Sequence, residues 1–148
     1  TKLNKKLKYI VIKYIKKVDL NFHAQYSAKT RVYRYLIKTT AIKPFEQDYV
    51  SFYEIKDFNL FKKALNLYLG EHNFKFFKKE GSFTSSDIRV IKKIKVIKIK
   101  NYIAIYIYAN GFLRSQVRML IKGALLVENK KISINNLKEQ INCEKKIF

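Results

Sequence analysis

The pattern of hydrophobic and polar residues predicts a chain that is rich in strands. Residues 7–18 form an apolar, β-branched run typical of a strand, and residues 31–40 form a second. Residues 102–108 alternate tyrosine and isoleucine, so one face meets a core and the tyrosine face meets water, a second layer or a ligand. Residues 88–100 also predict a strand, but its alternation slips, which indicates a bulge or a bend near residues 96–97.

Three segments predict helices, and the first two have the apolar period of amphipathic helices. Residues 57–69 form the first, with Asp57 as its N-cap and Gly70 as its C-cap. Residues 113–127 form the second and carry an apolar stripe beside a basic one. Residues 133–143 form a short final helix that begins with a capping serine. Each helix therefore has one apolar face to bury.

The order of these elements predicts an α+β fold, a mainly antiparallel sheet with two to three helices packed on one face. The chain has 148 residues, which is enough for one compact domain with a real core and too few for two ordinary ones. We therefore expect a single domain over residues 1–148. The segment at residues 49–55 fits either a short strand or an extended loop.

The charge of the chain restricts the kind of partner. Lysine and arginine number 32 against 11 acidic residues, a formal net charge of +21, so a polyanion such as nucleic acid or an acidic membrane surface is expected. Hydrophobic residues make up 48% of the chain, which excludes a disordered basic tail. No apolar run approaches the roughly 20 residues of a membrane helix, and no helix pairs a basic face with bulky aromatics. We therefore expect no membrane partner.

Cysteine and histidine indicate neither a disulfide framework nor a metal site. Cys143 is the single cysteine, so a reducing cytoplasm is the simplest location. His23 and His72 lie far apart, without the Cys/His spacing of a zinc site, so no metal is expected. We favour a hydrogen-bonded structural role for His72 over a catalytic one.

The rare arginines are candidate functional residues. In a chain that uses lysine so heavily, each arginine suggests a task that lysine cannot perform, such as bidentate contact with phosphate or carboxylate. Arg118 lies amid apolar residues, which predicts a carboxylate partner near the core boundary. An ordinary solvated helix face is the more usual explanation of the basic stripe that holds Arg114, Arg118 and Lys122. The five arginines are Arg31, Arg34, Arg89, Arg114 and Arg118.

The strand at residues 31–40 offers a candidate binding surface. Arg31, Tyr33 and Tyr35 share one face, because side chains two apart in a strand point the same way. Such a face suits an exposed nucleobase with its phosphate. A sheet face on which the arginine stem covers the tyrosine rings fits the strand equally well.

A phenylalanine-rich loop follows the first helix and ends in Lys78 and Lys79. A small core beneath the loop explains the phenylalanines better than base stacking does. The two lysines, together with the arginines other than Arg118, are the candidate RNA-binding residues. They are Arg31, Arg34, Lys78, Lys79, Arg89 and Arg114.

Four motifs along the chain resemble the TruA-type tRNA pseudouridine synthases. They are FHAQYSAKTRVYRYLI, LGEHNF, SSDIRVI and YANGFLRSQVRMLI, and their order and spacing agree with the family from about Leu7 to Val127. Any one motif would be weak, but four in order are strong. The resemblance implies an isomerase that converts uridine to pseudouridine in the anticodon stem-loop of tRNA. It also implies a homodimer, and no metal or organic cofactor.

The resemblance assigns roles to two residues. By motif, Tyr33 matches the tyrosine that packs on the target base, and Arg118 matches the arginine that pairs with the essential aspartate of the family. An aromatic face offsets part of the cost of extruding a base, about 1–3 kcal/mol. An arginine beside an aspartate keeps that carboxylate ionised and oriented.

The chain departs from the family pattern at several points. The aspartate of the family lies in a Gly-Arg-Thr-Asp segment that this sequence does not contain. We therefore expect the chain to be the C-terminal catalytic half, which alone binds tRNA weakly and does not isomerise it. Gln25 stands in place of arginine and Asn73 in place of aspartate. Lys122 stands where a glycine is common, which puts the tight packing of that helix in doubt.

Two other classes of protein fit the composition. One is a non-catalytic basic RNA-binding module. The other is a structural protein such as a ribosomal component, although ribosomal tails tend to be low in complexity and this chain is patterned throughout. Either protein would have the same positive charge but would not catalyse a reaction.

Overall fold

Five strands and three α-helices form the regular structure of residues 2–148. The computed structural model describes residues 2–148, and two single-turn 3₁₀ helices accompany the main elements. In chain order the elements are β1 (Arg31–Lys38), β2 (Ser51–Phe52), α1 (Phe58–Asn66), β3 (Gly70–Asn73), β4 (Ile88–Ile99), β5 (Tyr102–Ala109), α2 (Gln116–Glu128) and α3 (Ile134–Ile141).

The strands form one sheet with the order β2-β1-β5-β4-β3. Every neighbouring pair is antiparallel except β1 and β2, which run parallel over two residues. The β4–β5 hairpin turns through Lys100 and Asn101, as the sequence predicts, and Lys100 takes a left-handed φ of 50°. The mostly antiparallel sheet with its three helices confirms the predicted α+β fold class.

The helices cover one face of the sheet. Ile103, Ile105 and Ile107 of β5 are at most 1% exposed and belong to one core cluster with residues of all three helices. In the register of β1 with β5, Tyr33 lies opposite Ile107 and Tyr35 lies opposite Ile105. Because directly opposed residues point to the same face, both tyrosines lie on the helix side of the sheet.

Two carboxylates cap the start of α1. Asp57 is the N-cap, as predicted, and accepts a hydrogen bond from the Leu60 backbone N–H at 2.8 Å. Glu128, the last residue of α2, accepts from the backbone N–H groups of Lys56 and Asp57 at 2.7 and 2.8 Å. These bonds satisfy donors that a helix start leaves open, and they tie α1 to the end of α2.

The predicted end of α1 is wrong. The helix ends at Asn66 and its C-cap is Leu67 rather than Gly70. Gly70 instead begins β3, with a φ of 102°. Glycine adopts this conformation at little cost, so it serves the change of direction from helix to strand rather than the helix end itself.

The predicted bulge in β4 is misplaced. The register with β5 shifts between Ile91 and Lys93, so Lys92 is the extra residue, not one near residues 96–97. The Lys92 ammonium donates to the Lys29 carbonyl oxygen at 3.0 Å, so the bulge directs it toward the start of β1. The lysines on both faces of the later part of β4 reflect its exposure to solvent.

Residues 7–18 do not form the predicted strand. The segment lacks regular structure, and Tyr9 and Tyr14 are 90% and 83% exposed. The Asn4 side chain contacts this segment, because it exchanges hydrogen bonds with the Ile12 backbone at 2.8 and 3.0 Å. A strand needs a neighbour to satisfy its backbone, and within residues 2–148 no segment pairs with this one.

The close approach in α2 depends on Gly123 rather than on the neighbouring Lys122. Lys122 is exposed, so its position demands no small residue. A Cβ atom at position 123 would lie 2.4 Å from the Tyr68 hydroxyl, 2.7 Å from the Phe148 ring and 3.1 Å from Leu137. The Tyr68 ring is completely buried, so it has no free direction in which to move.

We expect Gly123→Ala to destabilise the protein by about 1–3 kcal/mol, the usual cost of overpacking a core. In a free helix the same change would stabilise by roughly 1 kcal/mol, so the expected sign depends on the contacts of Gly123. Urea unfolding of the variant and of Lys122→Ala, an exposed position on the same helix, measures the difference. A gain in stability for Gly123→Ala would contradict the packing described here.

A polar cluster holds the β1–β2 connection against the uncovered face of the sheet. Lys38 is only 4% exposed and forms an ion pair with Glu46, which also accepts a hydrogen bond from the Tyr102 hydroxyl. The Lys43 backbone N–H donates to the same carboxylate at 3.1 Å. The bond from Lys38, followed by that from Tyr102, lowers the pKa of Glu46 to about 2. The bond to Glu46 in turn raises the pKa of Lys38.

We expect Glu46→Gln to weaken the loss of stability in acid. The folded pKa of Glu46 is about 2 and its ordinary value 4.5, so the unfolded chain takes up a proton first as pH falls. The stabilisation from this carboxylate is therefore complete above the ordinary pKa and is lost as pH falls toward the folded pKa. Thermal unfolding across that pH window measures it, with exposed Glu54→Gln as the control. If the stability of Glu46→Gln falls with pH as steeply as that of the natural protein, the expectation is wrong.

Candidate functional site

The exposed tyrosine of β1 lies where β5 leads into α2. Tyr33 is 52% exposed, and its ring meets the Phe112 ring edge-on, with centroids 4.9 Å apart and planes inclined by 70°. Edge-to-face contact is a favoured aromatic geometry, so Phe112 supports the ring while leaving it accessible. The Arg31 guanidinium donates elsewhere, to the Asn110 carbonyl at 2.8 Å and to the Gln25 carbonyl.

Tyr33 and Arg118 line one cavity of about 390 Å³, which is within the roughly 300–1,000 Å³ of small-molecule sites. Strand β1 contributes Tyr33, Arg34 and Tyr35. The other lining residues come from the turn that leads into α2 and from the first residues of that helix. The lining residues are Tyr33, Arg34, Tyr35, Phe112, Leu113, Ser115, Gln116, Val117 and Arg118. The lining contains three aromatic rings and the Arg118 guanidinium but no carboxylate. Arg34 borders the cavity between Tyr33 and Tyr35, but its side chain points to the opposite face of the sheet.

Arg118 is placed differently from its prediction. The side chain is exposed rather than at a core boundary, because it points away from the apolar stripe of α2. Its guanidinium donates to the Ser115 hydroxyl oxygen at 3.1 Å. The ion pairs found within residues 2–148 involve other residues, so the predicted carboxylate partner is not among the described side chains.

The turn into α2 explains why the helix starts later than its apolar pattern predicts. Ser115 has a φ of 64°, a left-handed conformation that interrupts the helix at that point. Leu113 and Gln116 then exchange two hydrogen bonds. The Leu113 N–H donates to the Gln116 side-chain oxygen at 2.7 Å, and the Gln116 N–H donates to the Leu113 carbonyl at 3.1 Å. This exchange closes the turn and fixes the orientation of Gln116.

A second cavity, of about 300 Å³, adjoins the other side of the Tyr33–Phe112 pair and receives Arg31 and Arg89. Gly111 lies between the two guanidinium groups, since a Cβ atom there would be 3.4 Å from Arg89 Nε and 3.8 Å from Arg31 Nη1. Arg89 donates to the carbonyl oxygens of Ser86 and Ile88. The cavity lining contains no acidic residue, so both charges face an open anion-binding space.

The two lysines of the phenylalanine-rich loop have different surroundings. Lys78 donates to both carboxylate oxygens of Asp87 at 2.7 Å, and this bond lowers the pKa of Asp87. Lys79 is exposed, and its backbone N–H donates to the Arg114 carbonyl at 2.9 Å. The structure therefore joins the backbones of Lys79 and Arg114, which line neither of the two cavities, while Asp87 neutralises Lys78.

The sequence missed two residues of the site. Phe112 and Gln116 lie within the quoted YANGFLRSQVRMLI motif, yet periodicity shows neither the aromatic contact nor the buried amide. The neighbouring predictions are confirmed. Phe74 and Phe77 are completely buried, and the His72 ring bonds the Leu69 carbonyl at 2.9 Å.

Within residues 2–148 no helix is long and apolar enough to cross a membrane. Over the same residues, no three side chains of His, Cys, Asp or Glu are grouped closely enough to hold a metal ion. The described site is thus an aromatic cleft bordered by arginines, the arrangement expected of a domain that binds a flat, anionic ligand.

Comparison with known proteins gives the family. A family model described as tRNA pseudouridine synthase matches residues 64–147. The tRNA pseudouridine synthase A of Helicobacter hepaticus is 43% identical over 147 residues, which are 99% of this chain and 59% of that protein. The corresponding protein of Wolinella succinogenes is 32% identical over 99% of this chain and 58% of its own length. That of Mycoplasmoides gallisepticum is 40% identical over 91% of this chain and 51% of its own length.

The chain belongs to the tRNA pseudouridine synthase family, because the family model covers more than half of it. This confirms the resemblance carried by the four sequence motifs. The chain spans between 51% and 59% of the length of these three curated relatives.

Proposed function

We propose that the whole gene product containing this chain isomerises uridine to pseudouridine in the anticodon stem-loop of tRNA. One observation carries the proposal most directly. An accessible tyrosine ring and an exposed arginine without an acidic partner among the described residues line the same cavity. The family membership of the chain supports the same reaction.

In this proposal Tyr33 packs on the extruded uracil. A base inside a stem must leave its stack before chemistry, and an aromatic ring offsets part of that cost. The reaction breaks the bond between N1 of uracil and C1′ of ribose and forms a bond from C5 to C1′. The proton on C5 is released and N1 gains a proton, so atoms and charge balance without an oxidant or a cofactor.

Arg118 binds the reactive carboxylate in this proposal. That carboxylate belongs to the length of the whole protein beyond residues 1–148, which we propose to be one domain of its C-terminal half. A guanidinium offers two parallel donors to a carboxylate, so it holds the group ionised and fixed in direction. The Ser115 hydroxyl, 3.1 Å from the guanidinium, helps to position Arg118 before the carboxylate arrives.

The basic residues around the cleft are proposed to contact the tRNA backbone. Arg31 and Arg89 converge on the cavity beside Tyr33, and Arg34 lines the cavity that holds Arg118. Lys79 and Arg114 extend this surface along the loop before β4 and the start of α2. Lys78 is held by Asp87, so its contact with RNA depends on exchanging that partner.

The assembly and location of the protein follow the family in this proposal. We infer a homodimer that acts in the cytoplasm, since tRNA is its substrate. Sedimentation of the whole gene product with and without tRNA measures the assembly.

Release of tritium from tRNA labelled at C5 of its uridines tests the proposed reaction, because only bond formation at C5 expels that hydrogen. We expect release with the whole gene product and none with the 148-residue chain alone, whose described residues offer Arg118 no carboxylate. Release by the chain alone would overturn the assignment of the carboxylate to another segment. No release by the whole gene product would overturn the proposed function.

A second candidate is a non-catalytic RNA-binding module. It is favoured by the lack of an acidic partner for Arg118 among the described residues. A protein without the reactive carboxylate would still have the cleft and could still bind tRNA there. A tRNA-binding assay, run beside the tritium assay, distinguishes the two functions. Tight tRNA binding without any release of tritium supports the module.

A further inference from the structure

A buried amide in the wall of the cleft has an unused donor. Gln116 lines the cavity of Tyr33 and Arg118 and is only 1% exposed. Its side-chain nitrogen has no hydrogen-bond partner. A buried donor left without a partner is destabilising, so such a group in the wall of a ligand cavity suggests that a ligand completes it.

The orientation of the amide is fixed by the chain itself. The Leu113 backbone N–H, which can only donate, lies 2.7 Å from the Gln116 side-chain oxygen. Reversing the amide would place two donors against each other, so the oxygen must occupy that position. The group left without a partner is therefore an NH₂, closed to water in the wall of the cavity, and its partner must be an acceptor.

We propose that Gln116 donates a hydrogen bond to O4 of the target uracil and so selects uridine against cytidine. This inference rests on the proposed function and adds a specificity-determining residue to it. Uracil presents a carbonyl oxygen at position 4, whereas cytosine presents an amino group there. An amino group facing the Gln116 NH₂ would leave both donors unpaired, which is the strongest form of rejection available to a hydrogen-bonding site.

The test pairs one change in the protein with one change in the substrate. The whole gene product and its Gln116→Met variant are given tRNA whose target base is uracil, 4-thiouracil or 2-thiouracil, in single-turnover reactions. Sulfur is a weak acceptor. We expect the natural protein to react about five- to tenfold more slowly with 4-thiouracil than with uracil, since one hydrogen bond is worth about 1 kcal/mol. In Gln116→Met that ratio should fall to about one, while the 2-thiouracil ratio stays as in the natural protein.

Gln140 provides the matched control. It is also a buried glutamine, but its oxygen accepts from the Ile147 and Phe148 backbone and its nitrogen donates to the Phe76 carbonyl. Gln140→Met removes the same atoms from the core without touching the cleft. It should keep the full preference for uracil over 4-thiouracil.

A second variant gives a readout that does not depend on turnover. Gln116→Glu keeps the acceptor for Leu113 and replaces the unpartnered donor with an acceptor. We expect the natural protein to bind tRNA with uridine at the target position more tightly than tRNA with cytidine, and Gln116→Glu to reverse that order.

Three results would overturn the inference. They are an unchanged 4-thiouracil ratio in Gln116→Met, a loss of the 2-thiouracil ratio instead, or an unaltered base preference in Gln116→Glu. A natural protein that isomerises no tRNA would instead refute the proposed function, and the inference with it.

Discussion

Replacing Tyr33 with alanine is expected to lower turnover by the whole gene product about 100-fold and to change tRNA affinity by less than about tenfold. A base stacked on an aromatic ring gains about 1–3 kcal/mol, and the upper part of that range corresponds to a factor of 100. Affinity changes less because contacts with the phosphates dominate RNA binding, and those come from the surrounding arginines and lysines. Single-turnover rates and filter binding on the same preparations measure the two effects.

Two variants show what the tyrosine contributes. Tyr33→Phe keeps the ring and its edge contact with Phe112, so it should retain most turnover if stacking is the role of Tyr33. Tyr49→Ala removes another tyrosine, which is 78% exposed and lies outside the cleft, and should leave both quantities unchanged. A large loss of affinity with normal turnover in Tyr33→Ala would make Tyr33 a docking residue instead.

Replacing Arg118 with lysine or alanine is expected to lower kcat/KM by at least about 100-fold. Removing one partner of a desolvated ion pair costs roughly 3–5 kcal/mol, because the other charge is left unpaired. Lysine keeps the charge but not the two parallel donors, so it should recover only part of the loss. The pH profile gives a second readout. Without the guanidinium the pKa of the bound carboxylate rises, and the acid limb of the rate profile moves to higher pH.

Lys122→Ala is the control for Arg118, since Lys122 lies one turn further along α2 and is also exposed. It removes one positive charge from the same helix without entering the cleft. Rates for this variant should stay close to those of the natural protein. If Arg118→Ala behaved in the same way, Arg118 would be an ordinary surface charge and the proposed pairing would be wrong.

Elements with strong local signals were predictable from the sequence. The isoleucine and tyrosine alternation gives β5 and its buried face, and Asp57 and Ser133 give the starts of α1 and α3. In each case one side chain, or one period, decides the structure. No contact with a distant part of the chain is needed to make the prediction.

Predictions failed where the structure depends on partners or on backbone conformation. The start of α2 is set by the left-handed Ser115, which an apolar stripe does not reveal. The bulge is set by the pairing of β4 with β5, and residues 7–18 have strand composition without a neighbouring strand among the described residues. The hydrophobic periodicity of the sequence shows neither the left-handed residue nor the pairing of strands.

The site was predictable in part. The motifs single out Tyr33 and Arg118, and the structure places both at one cavity. The burial assumed for Arg118 was wrong, because neighbours in sequence do not tell which side of a helix a residue faces. Gln116 escaped notice because a polar residue between Ser115 and Val117 gives no sign of burial. The orientation of its amide is set by the hydrogen bond from Leu113.

The arginine pair beside Gly111 has a practical consequence for work in solution. Arg31 and Arg89 are both held by carbonyl oxygens, which orient a guanidinium without cancelling its charge. In the free protein, mobile counterions must therefore balance those charges, and each phosphate that enters must displace them. Inorganic phosphate and sulfate compete for such a pair far better than chloride does, because they match its bidentate geometry. If the whole gene product binds tRNA as proposed, we expect the choice of buffer anion to shift its tRNA affinity even at constant ionic strength.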